Sequence, residues 1–300
     1  MLSLAVGAAA ATAKRATTPH PRRSTPETFA RKRVWCCVRR GHNAAFLVYV
    51  ASMSGQRTVA YDYAERLRDD IYAPFPDEPD GPGPNKGWHI WRTTRLRFGD
   101  FDAVLADNST DDNLPRPWPY ALVLGAFSRG AALLRASSPS PDAARAELAK
   151  LQAGAAAVDE ELQGLVRVAN ATLLAMLADT GQGGGKRGAA AAVPYLQAAA
   201  AEQASWPYTE PPDWAFPVRQ CLGVALRRSG QLGDARRTFE DDLVQFPENA
   251  FSLMGSLQVA TALGEDPGIL ADLEERLAKA WAAADVALKS PCELFSEGSL

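Results

Sequence analysis

Residues 216–249 read FPVRQCLGVALRRSGQLGDARRTFEDDLVQFPEN, a 34-residue unit punctuated for two antiparallel helices. Counted from Phe216, Leu222 and Gly223 stand at positions 7 and 8, Gly230 at 15, Ala235 at 20, Phe239 at 24 and Pro247 at 32. Small residues let helix backbones approach where they cross, a glycine makes the turn, an aromatic fills the core and a proline stops the second helix. A hairpin of this kind cannot bury its apolar face alone and must stack on others. The chain is therefore expected to be all-α, a solenoid of about five helical hairpins whose usual work is to hold another molecule in its inner curve.

The plan recurs along the chain. Gly264 follows Gly230 by 34 residues, with Leu253, Leu257 and Ala260 lining one helix and Leu270, Leu273, Leu277 and Trp281 the next. Pro267 starts that second helix, where a missing N–H costs nothing. Upstream, Gly55 takes a turn, Ala60 a small position and Leu67 an inward apolar one. The segment Ala73–Lys86, with five prolines and two glycines, reads as a long acidic surface loop. Helix pairs then flank Gly99 (residues 87–98 and 101–106) and occupy 120–134 and 141–152, with Gly130 at a crossing. A further pair occupies about 158–178 and 186–205, joined by the glycine-rich stretch 181–188, read as flexible. Alternating apolar and polar runs are too short to predict strands.

Net charge is −3, unevenly spread: residues 1–40 carry nine bases and one acid, leaving 23 bases and 34 acids for the rest. An acidic body argues against nucleic acid, which needs a basic face for phosphates. No stretch offers the roughly 20 uninterrupted apolar residues of a membrane span. The domain reading is a basic, low-complexity leader over 1–40, a helical repeat domain over 41–290 and a tail over 291–300. The leader reads as a secretory segment with an Ala11-Thr12-Ala13 cleavage site, as an organellar transit peptide, or as a disordered extension or misplaced start. Cys36, Cys37, Cys221 and Cys292 show no zinc-ligand spacing, and a reduced, cytoplasmic setting is the default.

Tyr208–Arg219, YTEPPDWAFPVR, leads straight into the 34-residue unit. It resembles the Tyr-x-Glu-Pro-Pro-x-Trp-x-x-Pro-x-Arg signature that precedes the last repeats in a mainly bacterial group of tetratricopeptide-repeat proteins. Tyr208, Glu210, Pro211, Pro212, Trp214, Pro217 and Arg219 match it. RFGDFDAVL at Arg97–Leu105, the stretch around Arg129, Gly130 and Ala132, and WAAADVAL at Trp281–Leu288 are similar to further parts of the group. The resemblance covers about 41–290 and implies a tetratricopeptide-like α-solenoid. Group members tend to carry more repeats upstream, so the chain reads as starting partway through the array. The group's first hairpin usually reads His-Asn-x-His-Phe-Leu; here His42, Asn43 and Phe46 match, but Ala45 stands at the second histidine, so a role for a histidine pair does not carry over.

In this repeat type positions 5, 9, 12 and 13 line the groove, which selects Gln220, Val224, Arg227 and Arg228. The neighbouring units add Met254, Gln258 and Thr261, and His42, Tyr49 and Met53. The two arginines could receive acidic groups of a peptide, or complement a helix C-terminus. Trp214 and Tyr208 fit a peptide-contacting loop. The favoured reading is a stiff linker in which Asp213 caps the next helix, Pro217 enters its first turn and Glu210 pairs with Arg219, since caps and rigid linkers alone account for every residue type. Gly183–Lys186 lacks the strand and the Lys-Ser/Thr ending of a phosphate loop. His20, His42 and His89 do not cluster in sequence, and the adjacent acid pairs point to solvated faces. The expectation is a non-catalytic protein–protein interaction or scaffold module, without cofactor or metal, binding a protein or peptide. The alternative is an enzyme or enzyme accessory with a pocket around His42, Asn43 and Glu210–Trp214. A third reading is a structural fragment of a larger assembly.

Overall fold

The computed structural model describes the backbone of residues 26–72, 83–107 and 119–295; residues 1–25 and most of the proline-rich loop lie outside it. The stretch before Cys37 forms a unit of its own, helical from Pro26 on, and the 1–40 leader boundary falls inside that first helix. Residues from Cys37 onward make up the second unit.

Among the described residues there are twelve α-helices and no strand. They are α1 (Pro26–Met53), α2 (Arg57–Arg66), α3 (Gly83–Arg97), α4 (Phe101–Ala106), α5 (Pro119–Arg135) and α6 (Pro141–Gly154), then α7 (Gln163–Gly181), α8 (Gly185–Ala204), α9 (Val218–Ser229), α10 (Leu232–Gln245), α11 (Ala250–Leu263) and α12 (Pro267–Ala280). A π-turn over Leu67–Ile71 extends α2. The chain is thus all-α, and among the described residues the twelve helices follow one another as six pairs, one more than the expected five; the short α4 lies where the sequence placed a helix, at 101–106. Helices pack on their neighbours in chain order from α2 to α12, and α3 on α5, α5 on α7 and α9 on α11.

The turn glycines sit where expected. Gly55, Gly99, Gly230 and Gly264 all have left-handed backbones, with φ between 68° and 84°. The stretch 181–188 is a correction. It is a tight turn, with Gly183, Gly184 and Gly185 at φ 76°, 68° and 61°, and α8 already starts at Gly185. Gly188 lies against the Asp179 carbonyl, where a Cβ would not fit. Three consecutive left-handed residues are open only to glycine, so the composition that suggested flexibility encodes a fixed reversal.

The 34-residue unit packs through one ring. Phe239 on α10 is fully buried, and a Cβ at Gly223 of α9 or at Gly255 of α11 would fall within its van der Waals envelope. One phenyl group therefore fixes the approach of three helices. The main core runs from Leu96 through α5–α9 to Phe239 and Val259, and includes Cys292, Leu294 and Phe295. Those last residues, set apart from the repeat domain in sequence, are buried because they are apolar and folded back. A smaller cluster joins Ala44, Ala45 and Val48 of α1 to Ala64, Leu67, Tyr72 and Trp91.

Candidate functional site

A cleft of about 80 Å³ opens between α1, α3 and the irregular segment 211–215. Helical spacing builds two of its sides. Ala45, Val48, Tyr49 and Ser52 lie at i, i+3, i+4 and i+7 on α1; Lys86, His89, Ile90 and Thr93 repeat the pattern on α3, with Arg97 one turn further on. Both threonine hydroxyls of α3 are satisfied locally, Thr93 donating to the His89 carbonyl at 2.8 Å and Thr94 to that of Ile90 at 2.7 Å. Pro211, Pro212, Asp213 and Ala215 close the third side. Their position is fixed by Trp214, 2% exposed, whose ring lies 5.1 Å from Phe127 and 5.6 Å from Phe216.

Arg97 lies at the edge of a buried polar network. Its Nη1 donates to Gln220 Oε1 at 2.8 Å, its Nη2 lies 3.3 Å from Met53 Sδ, and its guanidinium sits 3.4 Å from the centroid of the Phe251 ring. Gln220 passes the contact on, donating to Asp242 Oδ2 and Asn249 Oδ1, both at 3.2 Å. Asp242 Oδ2 also accepts from Ser252 Oγ at 2.6 Å. Burial raises the Asp242 carboxyl above its ordinary range, opposed by Ser252, Gln220 and the nearby arginines. It lowers Arg97 to about 10, a value at which the guanidinium is still charged near neutral pH.

Four buried polar atoms here have no hydrogen-bond partner: Tyr49 Oη, His89 Nδ1, Arg97 Nε and Asp242 Oδ1. Such atoms cost about 1–3 kcal/mol each when nothing satisfies them. Desolvation drives the Tyr49 phenol up to about 12. Desolvation, with Lys86 and Arg92 adding to it, drives His89 down to about 4. The cleft thus presents a neutral imidazole, a neutral phenol and a guanidinium cation behind apolar walls.

The groove residues selected from sequence do not form one exposed surface. Tyr49, Gln220 and Met53 meet around Arg97, with Gln220 wholly buried. Arg228 is not available to a peptide: its Nη1 and Nη2 donate to both oxygens of Asp179 at 2.9 and 3.1 Å, in an ion pair with side chains 6% and 10% exposed. Arg227 is half-buried and engaged within the chain. Val224 is buried and Thr261 exposed, its hydroxyl bonded to the Leu257 carbonyl. Met254 and Gln258 are half-buried, and Gln258 Oε1 has no partner. His42 is exposed and outside the cleft.

The proline-rich signature needs correcting in three places. Trp214 is core and Tyr208 alone is exposed. Asp213 does not cap α9; the Val218 N–H at its start is met by Gln203 Oε1 at 2.8 Å. Glu210 and Arg219 do not pair: Glu210 accepts from the Tyr208 hydroxyl, and Arg219 donates to Gln245 Oε1 at 2.6 Å. Pro211 and Pro212 are the signature residues that reach the cleft. Sequence reasoning missed Arg97 and gave His89 no role in a site; helical spacing from Lys86 to Arg97 was the signal available.

The segment after α12 was also missed. Asp285 caps α2, accepting from the Arg57 and Thr58 N–H groups at 2.7 and 2.8 Å. Cys292 forms a disulfide with Cys221 of α9 across 71 residues, which departs from the reduced default taken for the cysteines. Among the described residues there is no group of three or more His, Cys, Asp or Glu that could hold a metal, and no helix long and apolar enough to cross a membrane. Compared with family models, curated proteins and solved structures, the chain finds no match.

Proposed function

We propose that the chain is a non-catalytic binding module of tetratricopeptide-like architecture, which takes up an apolar-bodied group of a partner peptide or helix in the cleft between α1, α3 and residues 211–215. The observation that carries this reading is the pairing of apolar walls with three buried polar atoms, on Tyr49, His89 and Arg97, that nothing within the chain satisfies. Concave sites with apolar linings and a few directional polar groups are the usual form of a recognition pocket. A partner group supplying a donor and an acceptor would satisfy them, and rigid helices and a proline-stiffened edge would keep the ordering cost on the protein low. The tetratricopeptide-like part of the proposal rests on the successive hairpins, their turn glycines and the glycine–phenyl packing around Phe239.

The non-catalytic part rests on titration states. General acid–base work needs groups that change charge near the working pH. His89 at about 4 and Tyr49 at about 12 lie well to either side of neutrality. The enzyme reading placed a pocket around His42, Asn43 and Glu210–Trp214; Pro211, Pro212 and Asp213 line this cleft, whereas His42, Asn43 and Glu210 do not.

The experiment is a selection of displayed helical and extended peptides against the full chain, followed by methyl-resolved NMR of the selected binder. Shifts should concentrate on Ala45, Val48 and Ile90, and Ala215→Trp, which fills the cleft from its half-buried edge, should remove binding without lowering Tm. Selected peptides that still bind Ala215→Trp, or that shift methyls elsewhere, overturn the assignment.

A further inference from the structure

Residues 281–295 border a second cavity, of about 290 Å³, which Arg97 also lines. Its floor is made by Arg57, Arg97, Phe98 and Phe251. At the near end the segment is held by non-covalent contacts alone, including an Asp285 N–H bond to the Gly55 carbonyl at 3.2 Å. The Trp281 ring stands edge-on to Phe251 at 5.4 Å, its indole N–H donates to the Val286 carbonyl at 2.7 Å, and exposed Asp285 holds the α2 N-terminus. At the far end the attachment is covalent, Cys292 to Cys221, with Leu294 and Phe295 buried beside it. Between the anchors Ala287 and Lys289 are exposed and Val286 and Leu288 half-buried, and all four line the cavity.

We propose that residues 281–295 form a lid over this cavity and that the Cys221–Cys292 bond is its lock. The inference is independent of the cleft reading, because it concerns a different cavity and a different segment. While the bond is closed, the far end cannot leave α9 and opening is limited to the weakly held middle. A dithiol reductant unlocks it in a balanced exchange. One of its thiolates attacks a sulfur of the bond and expels the other as a thiolate; its second thiol then displaces the first cysteine. The chain gains two electrons and two protons as two thiols, and the reductant becomes a cyclic disulfide. The far end is then held only by non-covalent contacts, among them buried Leu294 and Phe295 and the Arg135 Nε–H that donates to the Glu293 carbonyl at 3.2 Å, and closure becomes an ordinary equilibrium. Both cysteines are buried, 2% and 3% exposed, so attack must follow a local opening of residues 286–290. Reduction should therefore become independent of dithiol concentration once opening limits it.

The test uses the full chain in three forms: oxidised, reduced with dithiothreitol, and Cys292→Ser. Thiol titration first establishes that Cys221 and Cys292 are closed after treatment with oxidised glutathione. Amide exchange over 286–295 should then quicken at least about tenfold in the reduced and Cys292→Ser forms, with α9–α12 unchanged, as expected of a local opening. The aromatic anion 1-anilinonaphthalene-8-sulfonate, suited to a cavity with aromatic and guanidinium lining, should bind one-to-one in those two forms and not in the oxidised one. Unchanged exchange after confirmed reduction overturns the proposal. So does loosening that spreads through α9–α12, which would make the bond a staple for the whole core, and so does failure of the two thiols to close.

Discussion

Phe239, at the centre of α9–α11, and the rings of α2 and α3 are held in opposite ways. The Phe239 ring is fully buried, with Gly223 and Gly255 against it. In α2 and α3 the rings are faced by cations: Arg95 lies 3.7 Å from the centroid of Tyr61 and 5.0 Å from that of Trp91, and Arg68 lies 4.8 and 5.0 Å from those of Trp88 and Trp91. A close-packed ring gains from contact on every side and tolerates no change of volume. A ring faced by arginine keeps charge near water and tolerates neighbouring space. The first arrangement sets helix spacing, whereas the second leaves room for a cleft.

Substitutions can break that contrast. Phe239→Ala is expected to cost about 3–5 kcal/mol, the range for emptying a buried aromatic site, whereas Trp88→Ala on its half-exposed cation-faced ring should cost about 1 kcal/mol. Equal shifts in denaturant midpoint for the two would erase the distinction. Gly255→Ala should cost about 1–3 kcal/mol by overpacking the ring, while Gly233→Ala, in a roomy helical position, should stabilise by about 0.4–1 kcal/mol. A common sign for the two would deny that Phe239 sets the spacing.

The α1–α3 region should respond to pH instead. His89 titrates near 4 in the fold, below its ordinary value of about 6.5. Between those limits the unfolded chain binds more protons, so stability rises with pH through the window and falls on acidification from 6.5 towards 4. His89→Gln should flatten that slope in urea titrations; an unchanged slope would place the histidine in contact with water. The smallest effect belongs to Tyr49→Phe. Removing a buried hydroxyl that lacks a partner should be neutral or stabilise by up to about 1 kcal/mol, while weakening any peptide selected for the cleft. Loss of Tm in that variant would mean that the hydroxyl is already satisfied.

The legible parts of the sequence were those governed by neighbours along the chain. Gly55, Gly99, Gly230 and Gly264 announce turns, because a left-handed residue between apolar periods has few other uses. Phe239 and Gly223 were visible through their fixed spacing. Gly255, the other side of the same wedge, was not, since it falls outside the 34-residue register. The cleft was illegible for a related reason. Arg97 meets Gln220 across 123 positions and Asp285 caps Arg57 across 228, and no period or motif connects such pairs. The groove was misread where its charges were already taken: Arg228 carries no local mark that Asp179 is its partner.

Arg97 forms a wall of both cavities and also grips Gln220 and Phe251. If both hollows take an occupant, one that draws this side chain toward its own compartment would alter affinity in the neighbouring compartment, and the neighbour would return the influence by the same factor. The two hollows would then act as a single linked pair.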